Sequence, residues 1–524
     1  MKKIIILITL FISSIGISQE IIPTKKTQKG FAALDFLSID MPSNTIFPNE
    51  ANMSFTGIHY NLKLSDFYTG IGIYGSVTGK RGGFFTLGVN AGYKKLLSKK
   101  IFLDTGFHFG GGGGAGAPDG GGAFILPHFN IGYQFEKFSI TSGWSYVNFF
   151  DGGDIKSHQL NVALQIPFDF DYTNNKFTER EYSLGALKKT DWNKKPNRLS
   201  LMMHLNNLSI NGKQKLTDGT SLNGKTIRLA GFELISYLND NWFTFLRADG
   251  AYHGIKAGYM DIFFGGGYHL SFNKNRTNIQ AKFGIGAGGG GGVDTKGGFL
   301  IYPDISIEQK LFNNIYVSLN KGYLMTPDSH FYTSTFGAGI KYYMNTNGVK
   351  TNGVKTNGVK TNGVKTNDNS YSNAKFKGFE TILKHDIYFH ADRQTNPIEN
   401  LHQISFQMNF PISKNIYLAG QTSFANFGNA GAYAEGIVGF GVKSNSFLNK
   451  KVNLFAQVLT GAAGGGNIST GQGLIVKPSI GTYYKLNDQL SLRGSLGYVK
   501  ARGGKLSSPL INFGISYHFT YLKL

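Results

Sequence analysis

Residues Phe283–Ile307 read Phe-Gly-Ile-Gly-Ala, run into Gly288–Gly292, turn through Val293-Asp-Thr-Lys296, and return as Gly297-Gly-Phe-Leu-Ile-Tyr-Pro303-Asp-Ile-Ser-Ile307. The chain holds two further versions of this hairpin. One runs from Phe107-His-Phe-Gly110 through Pro118-Asp-Gly120 to Phe124-Ile-Leu-Pro127-His-Phe-Asn-Ile131. The other runs from Val458-Leu-Thr-Gly-Ala-Ala-Gly-Gly-Gly466 through Ser469-Thr-Gly471 to Leu474-Ile-Val-Lys-Pro478-Ser-Ile480. Pro127 and Pro303 lie 176 residues apart, and Pro303 and Pro478 lie 175 apart. A long, regular period of this kind marks a triplicated structural unit.

The units fall at 31–170, 197–345 and 374–524, separated by segments 171–196 and 346–373. The first segment is charged and lacks alternation. The second repeats Thr-Asn-Gly-Val-Lys from Thr346 through Lys365. Both read as polar linkers that bury too little apolar surface to offset the entropy of ordering, so a flexible spacer is expected of each. At the start, Met1-Lys2-Lys3 precedes the apolar run Ile4–Ile15, and Gly16-Ile17-Ser18 supplies small residues before Gln19. This is the pattern of a secretory signal, 1–18, too short for a membrane span. With no cysteine anywhere, disulfides, thiolate metal sites and an acylated cysteine are excluded. No later apolar run is long enough for a transmembrane helix.

The 71 glycines, 43 phenylalanines and 27 tyrosines go with short alternating runs, which reads as all-β with many turns. The net charge of +22 raises the question of nucleic acid. The cations are scattered over turns and linkers (Lys94, Lys95, Lys99, Lys100, Lys450, Lys451) rather than gathered on one element, so no nucleic-acid partner is expected.

In the middle unit eight runs alternate: 199–210, 226–238, 242–254, 259–272, 278–288, 298–311, 315–324 and 331–344. Short turns, such as Leu238-Asn-Asp-Asn-Trp242, alternate with longer connections where the glycines concentrate. That asymmetry belongs to up-and-down barrels of an outer membrane. By the two-residue period Ile279, Ala281, Phe283, Ile285 and Ala287 share one face, and Gln280, Lys282, Gly284 and Gly286 the other. Leu454, Ala456 and Val458 likewise oppose Asn453, Phe455 and Gln457; Leu103, Thr105, Phe107 and Phe109 oppose Asp104, Gly106 and His108. Runs of 9–11 residues suffice to cross the hydrocarbon when tilted. A water-facing sandwich would also alternate, but its polar face would not mix charge with glycine and phenylalanine as this one does.

In length, strand count and loop asymmetry each unit resembles the small eight-stranded outer-membrane barrels of the OmpA/OmpX type. The closing run Ile511-Asn-Phe-Gly-Ile-Ser-Tyr-His-Phe519 is similar to the terminal strand such proteins present to the barrel-assembly machinery, with Thr520-Tyr-Leu-Lys-Leu524 added after the aromatic. The resemblance implies three tandem antiparallel barrels in the outer membrane, in contact with its lipid. One barrel of about 24 strands is the alternative, since membrane barrels accept that even count. Pro127, Pro303 and Pro478 fit a central strand poorly and suggest a bulge.

No catalytic, cofactor-binding or metal-binding residue is assigned, and no cofactor is expected. The Gly-rich segments join strand to strand and are not followed by the Lys-Ser/Thr of a phosphate cradle. Asp386, Tyr388, His390 and Asp392 share a strand face and could offer metal ligands, though His385 lies opposite and a lumen hydrogen-bond network is the simpler reading. Lys282, Asp304 and Glu308 fall on inward positions and read as an internal ion-pair set that plugs its barrel. The expected role is structural, surface-presenting or binding through outward Gly-rich loops to an extracellular ligand or protein. A large pore or transporter is the alternative, and an outer-membrane lipid-modifying enzyme a third class.

Overall fold

The computed structural model describes residues 22–43, 48–350, 373–394 and 398–524. The expected export signal and the Thr-Asn-Gly-Val-Lys array beyond Lys350 lie outside these residues.

Alternating runs with β-branched and aromatic residues become 24 long strands, all antiparallel to their neighbours. The first eight are β1 (Gly30–Ile39), β2 (Met53–Leu64), β3 (Phe67–Ser76), β4 (Phe85–Leu96), β5 (Ile101–Gly113), β6 (Phe124–Gln134), β7 (Ser139–Phe149) and β8 (Lys156–Pro167). The next are β9 (Asn197–Ser209), β10 (Thr226–Tyr237), β11 (Trp242–His253), β12 (Met260–Phe272), β13 (Thr277–Gly289), β14 (Phe299–Phe312), β15 (Ile315–Met325) and β16 (Tyr332–Thr346). The last are β17 (Asn373–Ala391), β18 (Glu399–Pro411), β19 (Ile416–Phe427), β20 (Ala434–Lys443), β21 (Val452–Gly464), β22 (Leu474–Lys485), β23 (Leu490–Ala501) and β24 (Ser507–Lys523).

The hydrogen-bond ladder closes after every eighth strand. β1 pairs with β8 from Phe31–Pro167 to Leu37–Asn161. β9 pairs with β16 from Asn197–Thr346 to Ser209–Ser334. β17 pairs with β24 from Lys375–Lys523 to Tyr388–Leu510. Between the second and third barrels the strands β16 and β24 share only the pair Thr346–Lys523. Eight strands enclose a lumen that side chains fill, and the three main clusters of buried apolar residues lie one in each barrel.

One packing device recurs inside all three. A Cβ added to Gly92, Gly267 or Gly441 would collide with the ring of Tyr68, Phe243 or Tyr417, respectively, on the preceding strand. Each ring lies across a glycine, which lets a large side chain fit inside a narrow barrel and covers the bare backbone.

The three prolines do not sit at bulges. Pairing of β6 with β7 goes from Ile125–Asn148 to His128–Ser145. That of β14 with β15 goes from Ile301–Met325 to Asp304–Gly322, and that of β22 with β23 from Val476–Lys500 to Ser479–Gly497. Each ladder skips two positions and resumes in the same register. Proline has no N–H to give the following strand, so the bond is lost without insertion of a residue.

Segment 171–196, expected to be a flexible spacer, is folded. It carries a one-turn helix at Asn175–Phe177, a short strand Glu181–Ser183 paired with β17, and a helical turn Leu184–Leu187 capped by the Ser183 hydroxyl. Its Phe177, Tyr182, Leu187 and Trp192 are buried with Val349, Phe376 and Leu522. The Trp192 indole N–H donates to the Pro23 carbonyl at 2.9 Å. Four large apolar side chains in a charged stretch provide the burial that composition and periodicity concealed. Beside it Lys26–Gln28 pairs with Phe170–Tyr172.

Candidate functional site

Two places hold chemistry: the lumens, and the seams where barrel meets barrel. The exposure pattern separates them from the outer surface. On β13, Ile279, Phe283 and Ile285 are 36%, 57% and 45% exposed, whereas Gln280 and Lys282 between them are buried. Leu454 and Val458 are exposed and Phe455 and Gln457 buried on β21, and on β5 Phe107 is exposed while Asp104 and His108 are buried.

The middle lumen contains the densest ionic network. Lys282 Nζ lies 2.8 Å from Glu233 and 3.2 Å from Asp304, and Lys341 Nζ lies 2.6 Å from Glu308. Nearby, Arg247 Nε donates to Asp249 at 2.6 Å, and His204 lies 2.6 Å from the other oxygen of that carboxylate. Lys282 and Asp304 thus pair as charges in a narrow lumen require, whereas Glu308 takes Lys341, which Glu233 joins to Lys282. In the third barrel Lys477 bridges Asp386 and Glu435 at 2.8 Å each, and Lys384 lies 3.3 Å from Asp386. The first lumen relies more on neutral donors. Tyr68 and Gln165 donate to Asp104 at 2.8 and 2.7 Å, Tyr74 donates to Asp35 at 3.0 Å, and Asn90 links His59, Asn61 and His108.

The residues weighed as metal ligands are dispersed among other duties. Asp386 also accepts from Ser405 and Gln421, and Tyr388 donates to Glu435 at 2.6 Å. Two ammonium groups stand against Asp386 where a metal would have to sit. His390 is exposed with φ of 52° and donates its backbone N–H to Asn400, while the Asp392 carbonyl accepts from Ser469. Among the described residues no group of three or more His, Cys, Asp or Glu could hold a metal ion.

The seams were not foreseen. β3 packs on β13, β11 on β21, and β19 on β5. In each unit the third strand meets the fifth strand of the next, and the cycle closes as a pseudo-threefold ring. Equivalent backbone sites make each contact. A Cβ on Gly298 would lie 2.6 Å from the Ser76 carbonyl oxygen, one on Gly473 2.9 Å from that of Ala251, and one on Gly122 2.7 Å from that of Ala425. Each of these glycines stands five residues before its unit's proline. Beside them a Cβ on Gly75 would meet Ala287 Cβ at 2.7 Å, and one on Gly250 would meet Ala462 Cβ at 2.9 Å. Hydrogen bonds reinforce the approach: Gly82 N–H to Lys296 O (2.7 Å), Ser76 Oγ to Gly297 O (2.9 Å) and Gly431 N–H to Gly120 O (3.1 Å). Phe85, Met260 and Ala434, one from each barrel, belong to a single apolar cluster. Much of the Gly-rich sequence read as outward presenting loops is therefore spent on barrel-to-barrel contact. The signal was present in the sequence as glycines at a fixed offset from the prolines.

Two ionisable groups outside the spanning strands are set by this architecture. Burial pushes the Asp119 carboxyl up to about 7, against the opposing pull of the Gly114 N–H that it accepts at 2.7 Å. Asp119 adjoins Gly120, whose carbonyl is part of the seam between the third and first barrels. At the opposite end burial raises Asp171, but Lys194 and Thr27 outweigh it and hold the group below the usual carboxylate range.

No protein-family description matches the sequence, and no characterised sequence matches it either. Solved structures similar to it include Pseudomonas aeruginosa OpdQ, at 8% identity over 95% of this chain and 98% of that one, with a TM-score of 0.21. The ferric enterobactin receptor PfeA of the same organism is 9% identical over 94% of this chain and 82% of its own, with a TM-score of 0.28. Outer membrane protein Ail of Yersinia pestis is 14% identical over 29% of this chain and 99% of its own, with a TM-score of 0.20. Values this low carry no argument about fold or function. The strand ladders carry it instead. In hydrocarbon every backbone polar group must be satisfied internally, which closed barrels achieve. Barrels apolar outside and polar within are the strand architecture of outer membranes, and this is an outer-membrane β-barrel protein.

Proposed function

We propose that the protein is a ring of three closed barrels of the OmpA/OmpX type on one polypeptide, with domains at 31–170, 197–345 and 374–524. Its role is structural or interactive: a wide, stiff body in the membrane that displays the loops not used in the seams to an extracellular partner. The observation that carries this reading is the filling of the lumens by paired charges, above all Lys282 with Glu233 and Asp304, and Lys477 with Asp386 and Glu435. A route for solute would require these pairs to separate inside a low-dielectric space. Neither a cofactor nor an enzymatic step is part of this reading. Insertion by the barrel-assembly machinery, through the alternating strand β24, is part of it.

Planar-bilayer recording on the full chain tests the proposal. Silence or small irregular events are expected; large stable conductance steps would replace it with the pore reading. Expression of 374–524 alone tests the domain division. A fragment that folds in detergent with heat-modifiable migration is expected, and failure beside a folding full-length chain would show one indivisible unit.

A further inference from the structure

The hairpins that give each seam its fifth strand, β4–β5, β12–β13 and β20–β21, have a second property in common. Their short turns lie at the end away from the seams, which in outer-membrane barrels is the periplasmic end, and each carries two cations and no acid. They read Leu97-Ser-Lys-Lys100, Asn273-Lys-Asn-Arg276 and Ser446-Phe-Leu-Asn-Lys-Lys451. All six cations are exposed, and none is held in an ion pair among the described residues. The other short turns differ: Ser65-Asp66, Asn239-Asp240, Glu136-Lys137 and Asn487-Asp488 contain an acid, Asn313-Asn314 no charge, and Ser413-Lys-Asn415 a single cation. Three unlike turn sequences have converged on one charge, and only on the hairpin that carries the fifth strand of each unit, the strand that packs on a neighbouring barrel's third strand.

The apolar flank beside those turns is open. The barrels touch at the loop end, through Gly75 with Ala287 and Gly250 with Ala462. Farther along the same strands toward the turns they diverge: Phe283 is 57% exposed on β13 and Val458 52% on β21. In the third barrel this flank holds a groove of about 530 Å³ lined by Phe440, Val442, Ala456, Val458, Ile480 and Leu496. That volume is within the usual range of small-molecule sites. An apolar trough leading to a pair of unneutralised cations at the membrane surface complements a molecule with a hydrocarbon tail and an anionic head.

We propose that each seam hairpin binds an anionic phospholipid of the periplasmic leaflet, its phosphate on the turn cations and an acyl chain along the diverging flank, with the third-barrel groove the tightest of the three sites. This rests on the membrane-spanning, closed-barrel reading above.

The test is native mass spectrometry of the delipidated full-length protein in detergent. Phosphatidylglycerol, phosphatidylcholine with the same chains, and inorganic phosphate are titrated separately. Up to three retained phosphatidylglycerol molecules are expected, with phosphatidylcholine held about tenfold more weakly and inorganic phosphate neither retained nor competing. Lys450→Ala with Lys451→Ala should remove the tightest phosphatidylglycerol, and Ala456→Phe should weaken both lipids by filling the groove. Lys137→Ala, on the β6–β7 turn outside the seams, should change nothing. Equal binding by the Lys450/Lys451 variant and the parent would overturn the proposal, as would displacement of lipid by inorganic phosphate. Heat-modifiable migration and bilayer silence are recorded on the same samples. A folded, silent protein that retains no lipid sinks the lipid sites alone, whereas large conductance steps sink the closed-barrel reading beneath them.

Discussion

The seams and the lumens are both built from equivalent positions in three related units, yet they have diverged very differently. At the seams Gly122, Gly298 and Gly473 are the same residue facing the same carbonyl. Inside, positions fixed by the prolines hold Gly106, Lys282 and Gln457, or His128, Asp304 and Ser479, or Leu126, Tyr302 and Lys477. A seam allows one solution, because two sheets can approach backbone to backbone only where side chains are missing. A lumen allows many, because it demands only that its volume be filled and its charges be paired. The three interiors have accordingly become one neutral-donor network and two ionic ones around a constant wall.

The largest effect expected from breaking this contrast lies inside. Lys282→Met leaves Asp304 without its ammonium partner and Glu233 with Lys341 alone, at 3.5 Å, and should cost about 3–5 kcal/mol, read by denaturant unfolding in micelles. Replacing all three by apolar residues of similar volume should recover most of that loss. No recovery would mean that the lumen needs these particular groups.

The outer face comes next. Leu496, at the middle of β23, is 61% exposed, and Leu496→Arg should cost about 2–4 kcal/mol in bilayers, where the outer face meets acyl chains near mid-membrane. An arginine tolerated there would show that this face is not against lipid.

At a seam Gly298→Val should cost about 1–3 kcal/mol by overpacking. Its φ of 94° adds strain of its own, so Ala287→Leu, free of that strain, serves as the companion variant. If the ring is truly cyclic, Gly122→Val and Gly473→Val should match Gly298→Val within error. One silent seam would reduce the ring to an open chain of barrels.

The last effect is a slope, small over any one pH unit. Asp119 binds its proton more tightly in the folded loop than in the unfolded chain, so the folded state gains from acid. Its contribution is complete below the ordinary carboxylate range and is lost as pH rises through about 7. Stability should therefore fall between about pH 4 and 7 by no more than about 1.4 kcal/mol per pH unit from this group. Asp119→Asn should flatten that slope, and an unchanged slope would assign it to other carboxylates.

Much of the barrel wall was legible in the residues. All eight runs read in the middle unit match β9–β16 within about two residues at each end, since a strand with one face in lipid and one in a polar lumen must alternate. Lys282 with Asp304 was legible for the same reason: neighbouring strands in register place inward charges side by side. The packing of 171–196 was not legible, because Trp192 and Phe177 are buried by partners some 170–350 residues away, near both chain ends. Nor could Asp386 be separated from a metal ligand before Lys477 and Lys384 were seen against it.

By itself the amino-acid order determined the threefold repeat of the hairpin, the strands, and the alternation of their apolar and polar faces, because all of these follow from local periodicity and an internal repeat. Tertiary structure alone decided that the ladder closes three times, that the closed units form a ring, and that glycines suited to loops serve as contacts. Those outcomes depend on which distant backbones can approach one another, and that is a property of surfaces in space rather than of neighbours in sequence.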